Sequence, residues 1–321
     1  MNATTLSPAS CSSRRRLLCL LTALGVALAP AAAPVGAEAP AGPMPFAAHN
    51  AYPYKGKGTE KLTRALRAGF PHIETDITYD AARKAVVVTH DGEPSGNEPE
   101  LDAFLAPLWR QWTTCPVAGR TLTFDLKSSR AGLVEGLQSV LRKHARALSW
   151  MDARAGATFR PGPITVCLSG NDTAKNAYAR LAARQGRYLA FLDHVYDENA
   201  WKSDASDYVP AAPASVHRFL TLHSSNFLGE RRRGGVIGGA WENTKDFARG
   251  LAFWEKRPDP DQTLSAARLS AAAKAAARRG YAIRVYVVNS SRDWETCAKA
   301  GIPMLATDEY EDAARWWRER R

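Results

Sequence analysis

Residues 72–91 read His72-Ile73-Glu74-Thr75-Asp76-Ile77-Thr78-Tyr79-Asp80-Ala81-Ala82-Arg83-Lys84-Ala85-Val86-Val87-Val88-Thr89-His90-Asp91. Side chains alternate along a β-strand, so Glu74, Asp76 and Thr78 fall on one face and Ile73 and Ile77 on the other. One face suits packing under helices, and the other collects carboxylates. After a short turn, Ala85–His90 reads as a second strand, an added hairpin partner of the first.

Working outward, short apolar runs alternate with helical stretches. Further strands are expected at Phe46–His49, Leu122–Lys127, Ile164–Ser169, Tyr188–His194, Phe219–Ser224, Ile283–Asn289 and Met304–Asp308. Helices are expected at Thr59–Ala68 (stopped by Gly69), Leu133–Leu148, Thr173–Gln185, Leu264–Arg279 (stopped by Gly280) and Asp312–Arg320. Regular alternation of strand and helix calls for a parallel sheet with right-handed crossovers. Roughly eight such units in about 250 residues predict an α/β protein of the TIM (β/α)8 barrel type. An open doubly wound sheet is the rival, but no GxGxxG follows the first strand.

The chain has 321 residues, of which 45% are apolar and 23% charged, so whole-chain disorder, collagen and coiled coil are excluded. Residues 1–37 read as a signal peptide. Arg14-Arg15-Arg16 form its basic start, Leu17–Ala29 its apolar run, and Val35-Gly36-Ala37 a small-residue cleavage site. The paired arginines loosely resemble a twin-arginine signal. A secreted, periplasmic or extracellular location is therefore expected. Residues 38–45 form a flexible Ala/Pro-rich leader, and residues 46–321 the barrel domain. Loss of three arginines and no acid brings the formal charge from +11 to +8 over 284 residues.

The basic clusters Arg231–Arg233 and Arg315–Arg321 read first as solvated faces, and second as attraction to an anionic membrane surface. No nucleic-acid-binding motif is present, and a monomer is expected. The leader-free chain keeps Cys115, Cys167 and Cys297, enough for one disulfide and too few for a disulfide scaffold.

The chemistry gathers at the carboxyl ends of early strands. The first strand runs into His49-Asn50, the second carries Glu74 and Asp76, and its hairpin partner ends in His90. Leu122-Thr123-Phe124-Asp125-Leu126-Lys127 places Asp125 and Lys127 on one face. Singly, each has an ordinary structural reading as a strand-end ion pair or a satisfied histidine. Together they make a constellation, because barrel strand ends converge on one face. Glu74, Asp76 and Asp125 would hold one divalent cation, Mg2+ or Ca2+. Two histidines supply an acid/base pair near neutral pH, and Lys127 stabilises developing negative charge. This is equipment for displacement at a phosphodiester.

The order His49-Asn50, Glu74-x-Asp76, His90-Asp91, Asp125-Leu126-Lys127 resembles the phospholipase-C-like phosphodiesterase superfamily, whose best-known members are the glycerophosphodiester phosphodiesterases. The likeness lies in "ALRAGFPHIETDITYD" (65–80) with "VVVTHDGEP" (86–94), and in "IRVYVVNSSRDWETCAKAGIPMLATDEY" (283–310). It implies His49 and His90 as the acid/base pair, Glu74, Asp76 and Asp125 as metal ligands, and Lys127 as a phosphate contact. That family usually starts with His-Arg-Gly and has Glu as its third carboxylate, where this chain has His49-Asn50-Ala51 and Asp125. The His49-Asn50-Ala51-Tyr52 start is more similar to the "altered inheritance of mitochondria" branch, and Phe124-Asp125-Leu126-Lys127 resembles sphingomyelinase D-type enzymes.

Asn50, Trp241 and Asn289 complete the expected substrate-binding set. His194, His223 and Asp308 end later strands and are weaker candidates. His72 sits at the wrong end of its strand and reads as structural, and His144 as a solvated residue on a basic helix face. The expected activity is an exported, metal-dependent phosphoric diester hydrolase for glycerophosphodiesters or phospholipid headgroup esters. Three alternatives stand beside it: a sphingomyelinase D/phospholipase D-type lyase on the same site, a non-catalytic phosphate- or phospholipid-binding barrel, and a glycoside hydrolase. The last is disfavoured because the carboxylates cluster rather than flank a sugar bond.

Overall fold

The computed structural model describes residues 44–53, 58–114, 117, 119–154, 158–197, 200, 202–228 and 263–321. Eight parallel strands close on themselves: β1 (Phe46–Ala48), β2 (His72–Asp80), β4 (Arg120–Leu126), β7 (Ile164–Gly170), β9 (Phe191–Tyr196), β10 (His217–His223), β11 (Ala282–Tyr286) and β12 (Met304–Thr307). Closure is made by β1, which pairs with β12 through Phe46↔Leu305 and with β2 through Ala48↔Ile73. β3 (Ala85–Val88) lies antiparallel on β2, with Ile77 opposite Val88, so the expected hairpin forms. The predicted TIM barrel is the observed architecture.

The inside and outside of the barrel follow the alternation read from sequence. On β2, Ile73 and Ile77 are fully buried in the main apolar cluster shared by strands and helices. Inside the barrel, Cys167, Phe191, Phe219 and Met304 pack into a second, smaller cluster. Met151 joins them from a three-stranded antiparallel sheet made of β5 (Trp150–Asp152), β6 (Phe159–Arg160) and β8 (Arg187–Tyr188). These segments sit just ahead of β7 and β9 in the chain, so they close the amino-terminal end of the barrel. Apolar filling there leaves the carboxyl-terminal end for polar groups.

The helices that return the chain are α1 (Glu60–Ala68), α2 (Leu101–Phe104), α3 (Ala106–Thr114), α4 (Leu133–Lys143), α5 (Asp172–Arg184), α6 (Ala266–Arg279), α7 (Ser291–Lys299) and α8 (Tyr310–Arg318). Side chains of Asn171, Ser265 and Ser290 cap α5, α6 and α7 by accepting from backbone N–H groups of the first turn. Among the described residues no helix is long and apolar enough to cross a membrane.

Four expectations need correcting. The helix expected to reach Leu148 stops at Lys143, and a 3-10 turn follows at Ala145–Ala147. The run Tyr188–His194 divides, with Tyr188 in the small sheet and Phe191 onward in the barrel. α3 was not anticipated; its Pro107 sits in the first turn, where the missing N–H costs nothing. His144 is not a solvated residue: its ring stacks on Trp109 at 4.1 Å and its Nε2 contacts Asp102 Oδ1 at 2.9 Å. The expected signal peptide, the leader up to residue 43, Cys115, Arg231–Arg233 and Trp241 lie outside the described residues. Cys167 and Cys297 are free and buried.

Candidate active site

The first strand delivers His49 and then turns sharply. Asn50 adopts a left-handed conformation (φ 53°), which asparagine tolerates better than most residues. The turn aims the Asn50 backbone N–H at Glu74 Oε2, 2.7 Å away. The Asn50 side chain reaches back to His49 Nδ1 (2.9 Å) and Asp308 Oδ1 (3.3 Å). His49 Nδ1 itself contacts Asp308 Oδ1 at 3.1 Å. Asp308 is held in turn by Asn289, whose Oδ1 accepts from the Asp308 backbone N–H and from Thr307 Oγ1, both at 3.0 Å. The Tyr310 hydroxyl donates to the His49 carbonyl. Thus Asn289 and Asn50, read from sequence as substrate contacts, are placed around the His49–Asp308 pair.

His90 is arranged in the same way. Its Nδ1 contacts Asp76 Oδ2 at 2.7 Å, and the buried Tyr52 hydroxyl lies 3.0 Å from the same nitrogen and 3.1 Å from Asn50 Oδ1. In both histidines a carboxylate engages Nδ1, which leaves Nε2 to exchange a proton. Asp308 and Tyr52 were not read from sequence as partners of these rings. Asp308 is 259 residues from His49, and nothing local marks the pairing.

Glu74 and Asp76 are almost wholly buried, and Asp76 sits level with Asp125 across the β2–β4 pair. One oxygen from each of Glu74, Asp76 and Asp125 falls within a 4.8 Å span. Lys127 Nζ lies 2.8 Å from Asp125 Oδ2 and 3.0 Å from Asp76 Oδ2. Asp76 Oδ1 is buried without a hydrogen-bond partner, which is costly for a carboxylate oxygen unless a cation meets it. Three clustered carboxylates with an orphaned oxygen fit a hard divalent ion. Gly170 at the end of β7 makes room for them: a Cβ there would overlap Asp125 Oδ1, and the residue already has φ 79°. Sequence offered no signal for this role of Gly170.

The electrostatics agree with the geometry. Burial raises the pKa of Glu74, with Asp76 adding to it, against the opposing pull of His49 and Arg284. Burial would lower His49, but Glu74 and Asp308 outweigh it and the ring is raised. His90 is raised by its hydrogen bond to Asp76, against burial and Lys127. Burial opposes the charge on Lys127, yet Asp125 and Asp76 prevail and keep it an ammonium. Beside Lys127 opens a cleft of about 520 Å3 lined by Asp91, Gly92, Glu93, Ser128, Ser129, Arg130 and Asn171.

The weaker candidates separate. His223 sits at the mouth, edge-on to Tyr286 (5.2 Å), with Nδ1 on Ser225 Oγ at 2.8 Å. His194 does not join the site; it stacks on His217 of the neighbouring strand at 4.7 Å. His72 lies at the start of β2 with its Nδ1 buried and unpartnered, and burial pushes its pKa down to about 4.

No protein-family model and no curated protein sequence matches the chain. Similar solved structures include a glycerophosphodiester phosphodiesterase from Parabacteroides distasonis, 13% identical, with a TM-score of 0.49, covering 86% of this chain and 97% of that one. A putative glycerophosphoryl diester phosphodiesterase from Silicibacter pomeroyi is 13% identical with a TM-score of 0.49, covering 85% and 93%. An Oleispira antarctica phosphodiesterase in complex with the product sn-glycerol-3-phosphate is 12% identical with a TM-score of 0.46, covering 84% and 95%.

Proposed function

We propose that the protein is an exported, metal-dependent phosphoric diester hydrolase acting on glycerophosphodiesters or phospholipid headgroup esters. One observation carries this reading. Two histidines, each with Nδ1 on a carboxylate, flank a three-carboxylate cluster that has an orphaned oxygen and an adjoining ammonium.

Glu74, Asp76 and Asp125 would hold Mg2+ or Ca2+, which when bound neutralises a phosphate oxygen and makes phosphorus more electrophilic. The chain's own groups do the rest. One histidine Nε2 takes the proton from the attacking oxygen, a water or a neighbouring hydroxyl of the substrate. The other histidine, protonated, gives its proton to the leaving alkoxide as the P–O bond breaks. Asp308 and Asp76 fix the ring orientations and stabilise the imidazolium form of each. Lys127 offsets the charge that builds on the equatorial oxygens. The cleft beside Lys127 and His90's neighbour Asp91 offers space for the headgroup.

The test is a headgroup-release panel with product mass spectrometry on glycerophosphodiesters, lysophospholipids, phosphatidylinositol and sphingomyelin, with Mg2+ or Ca2+ present. Free alcohol plus phosphomonoester supports hydrolysis. A cyclic phosphate that accumulates as the end product selects the lyase-type alternative, in which no water opens the ring formed by the substrate hydroxyl. Binding without any turnover selects a phosphate-binding barrel. Residues 1–37 act in this reading as the export signal, which N-terminal sequencing of the exported protein checks by a start at Glu38. The arginines from Arg315 to Arg321 would give an anionic lipid surface something to attract.

A further inference from the structure

Strand β11 reads Ala282-Ile283-Arg284-Val285-Tyr286, and Ile283 and Val285 pack in the outer apolar cluster. Alternation therefore turns Arg284 and Tyr286 into the barrel interior. Arg284 lies in register with Thr221 on β10 and Met304 on β12, one step deeper than Tyr286, which pairs with His223 at the mouth. Its guanidinium is 5.8 Å from the Tyr286 ring centroid, and its charge reaches Glu74 and His49, pulling against the upward shift of each.

The arginine is 6% exposed, yet Nε and Nη1 have no hydrogen-bond partner. A buried guanidinium with open donors in a low-dielectric interior is an expensive arrangement unless an anion completes it. The apolar cluster of Met151, Cys167, Phe191, Phe219 and Met304 fills the barrel on the amino-terminal side, so an anion reaches Arg284 from the mouth.

We propose that Arg284 is a substrate-contacting residue whose open N–H donors meet the non-bridging phosphate oxygens of the substrate from beneath the mouth. The assignment rests on the phosphodiesterase reading of the site. It makes an interior strand position, rather than a mouth loop, the one that recognises the anion. Arginine suits this role because its N–H donors are held in one plane in fixed directions, whereas lysine offers a point charge.

The experiment compares the full chain carrying Arg284, R284Q or R284K, each with Mg2+. Inorganic phosphate is the probe, followed by the rise in thermal midpoint that it produces and by 31P line broadening. Diester turnover is measured in parallel. The assignment expects phosphate to stabilise the wild type, R284Q to lose phosphate affinity at least tenfold and kcat/KM at least a hundredfold, and R284K to fall between. R284Q should fold, because it removes an unpaired buried charge. R284Q that binds phosphate like the wild type overturns the assignment. So does an unfolded R284Q beside an R284K that binds phosphate at full affinity, since that marks the charge as structural. A wild type that binds phosphate through Arg284 and cleaves no diester refutes the functional reading alone. A wild type that cleaves diesters with R284Q equally active refutes the arginine alone. A wild type that neither binds phosphate nor turns over refutes both.

Discussion

Two pairs of histidines occupy this barrel, and they have opposite fates. His49 and His90 each meet a carboxylate through Nδ1, and each has its pKa raised. His194 and His217, on β9 and β10, meet each other, ring on ring at 4.7 Å. Burial and, for His217, the neighbouring His194 lower their pKa values. Residue type does not distinguish the pairs, and both His90 and His194 lie near the end of a strand. The partner does. A carboxylate on Nδ1 keeps a proton available and the ring oriented, whereas burial of one ring against another drives the proton off. Strand alternation decides which partner is met, because His49 turns into the barrel mouth and His194 away from it.

The sharpest way to break this contrast is to remove the rings. His49→Ala or His90→Ala should lower diester turnover by about 10^3-fold with an unchanged fold by circular dichroism. His194→Ala and His217→Ala should stay within about twofold of wild type. Equal losses in all four would mean that the carboxylate partner is irrelevant. Next in size is metal removal. Excess EDTA should abolish turnover, and added Mg2+ or Ca2+ should restore it; unchanged rates would remove the role given to Glu74, Asp76 and Asp125.

Asp308→Asn tests the orienting carboxylate alone. It should cost about 10–100-fold in kcat, with little change in KM, and should shift the pH–rate profile, because His49 loses the partner that helps to raise its pKa. A variant with wild-type kcat and pH profile would reduce Asp308 to scaffolding. The smallest effect concerns a buried ring with no partner. His72 is held near pKa 4 in the folded protein against an ordinary value of 6.5. The unfolded chain therefore binds the proton first, and stability should fall as pH drops from about 6.5 to 4, by at most about 3 kcal/mol, and level off below. His72→Phe should flatten that slope in thermal melts across this range; an unaltered slope would place its origin elsewhere.

Much of the fold was readable because the period-2 alternation in β2, β4, β7 and β10 is strong and helices such as α1, α4, α5 and α6 stand out between strands. Glu74, Asp76, Asp125 and Lys127 could be grouped from sequence because parallel strands in register bring equal heights together, as Asp76 and Asp125 show. The rest depended on contacts that no local pattern encodes. Asp308 meets His49 only because the barrel closes. Tyr52 looked like part of a motif and proves to bridge Asn50 and His90. Arg284 sits in an apolar strand, where an isolated arginine reads as a chance exposure until the inner face is known. His144 was misjudged because its partners, Trp109 and Asp102, come from helices α3 and α2, neither of which sequence anticipated.

The closure of the barrel also has a consequence for timing. β1 is three residues long and is held by β2 on one side and β12 on the other, and the carboxylate on His49 stands just past β12. On the ribosome, the first residue of the site to be synthesised is therefore the last to be armed. A chain released before residue 304 can carry Glu74, Asp76, Asp125, His90 and Lys127, but it has neither the strand that seats His49 nor the carboxylate that orients it. Pairing of His49 therefore waits for β12 and Asp308, and a cut ahead of residue 304 would undo it again.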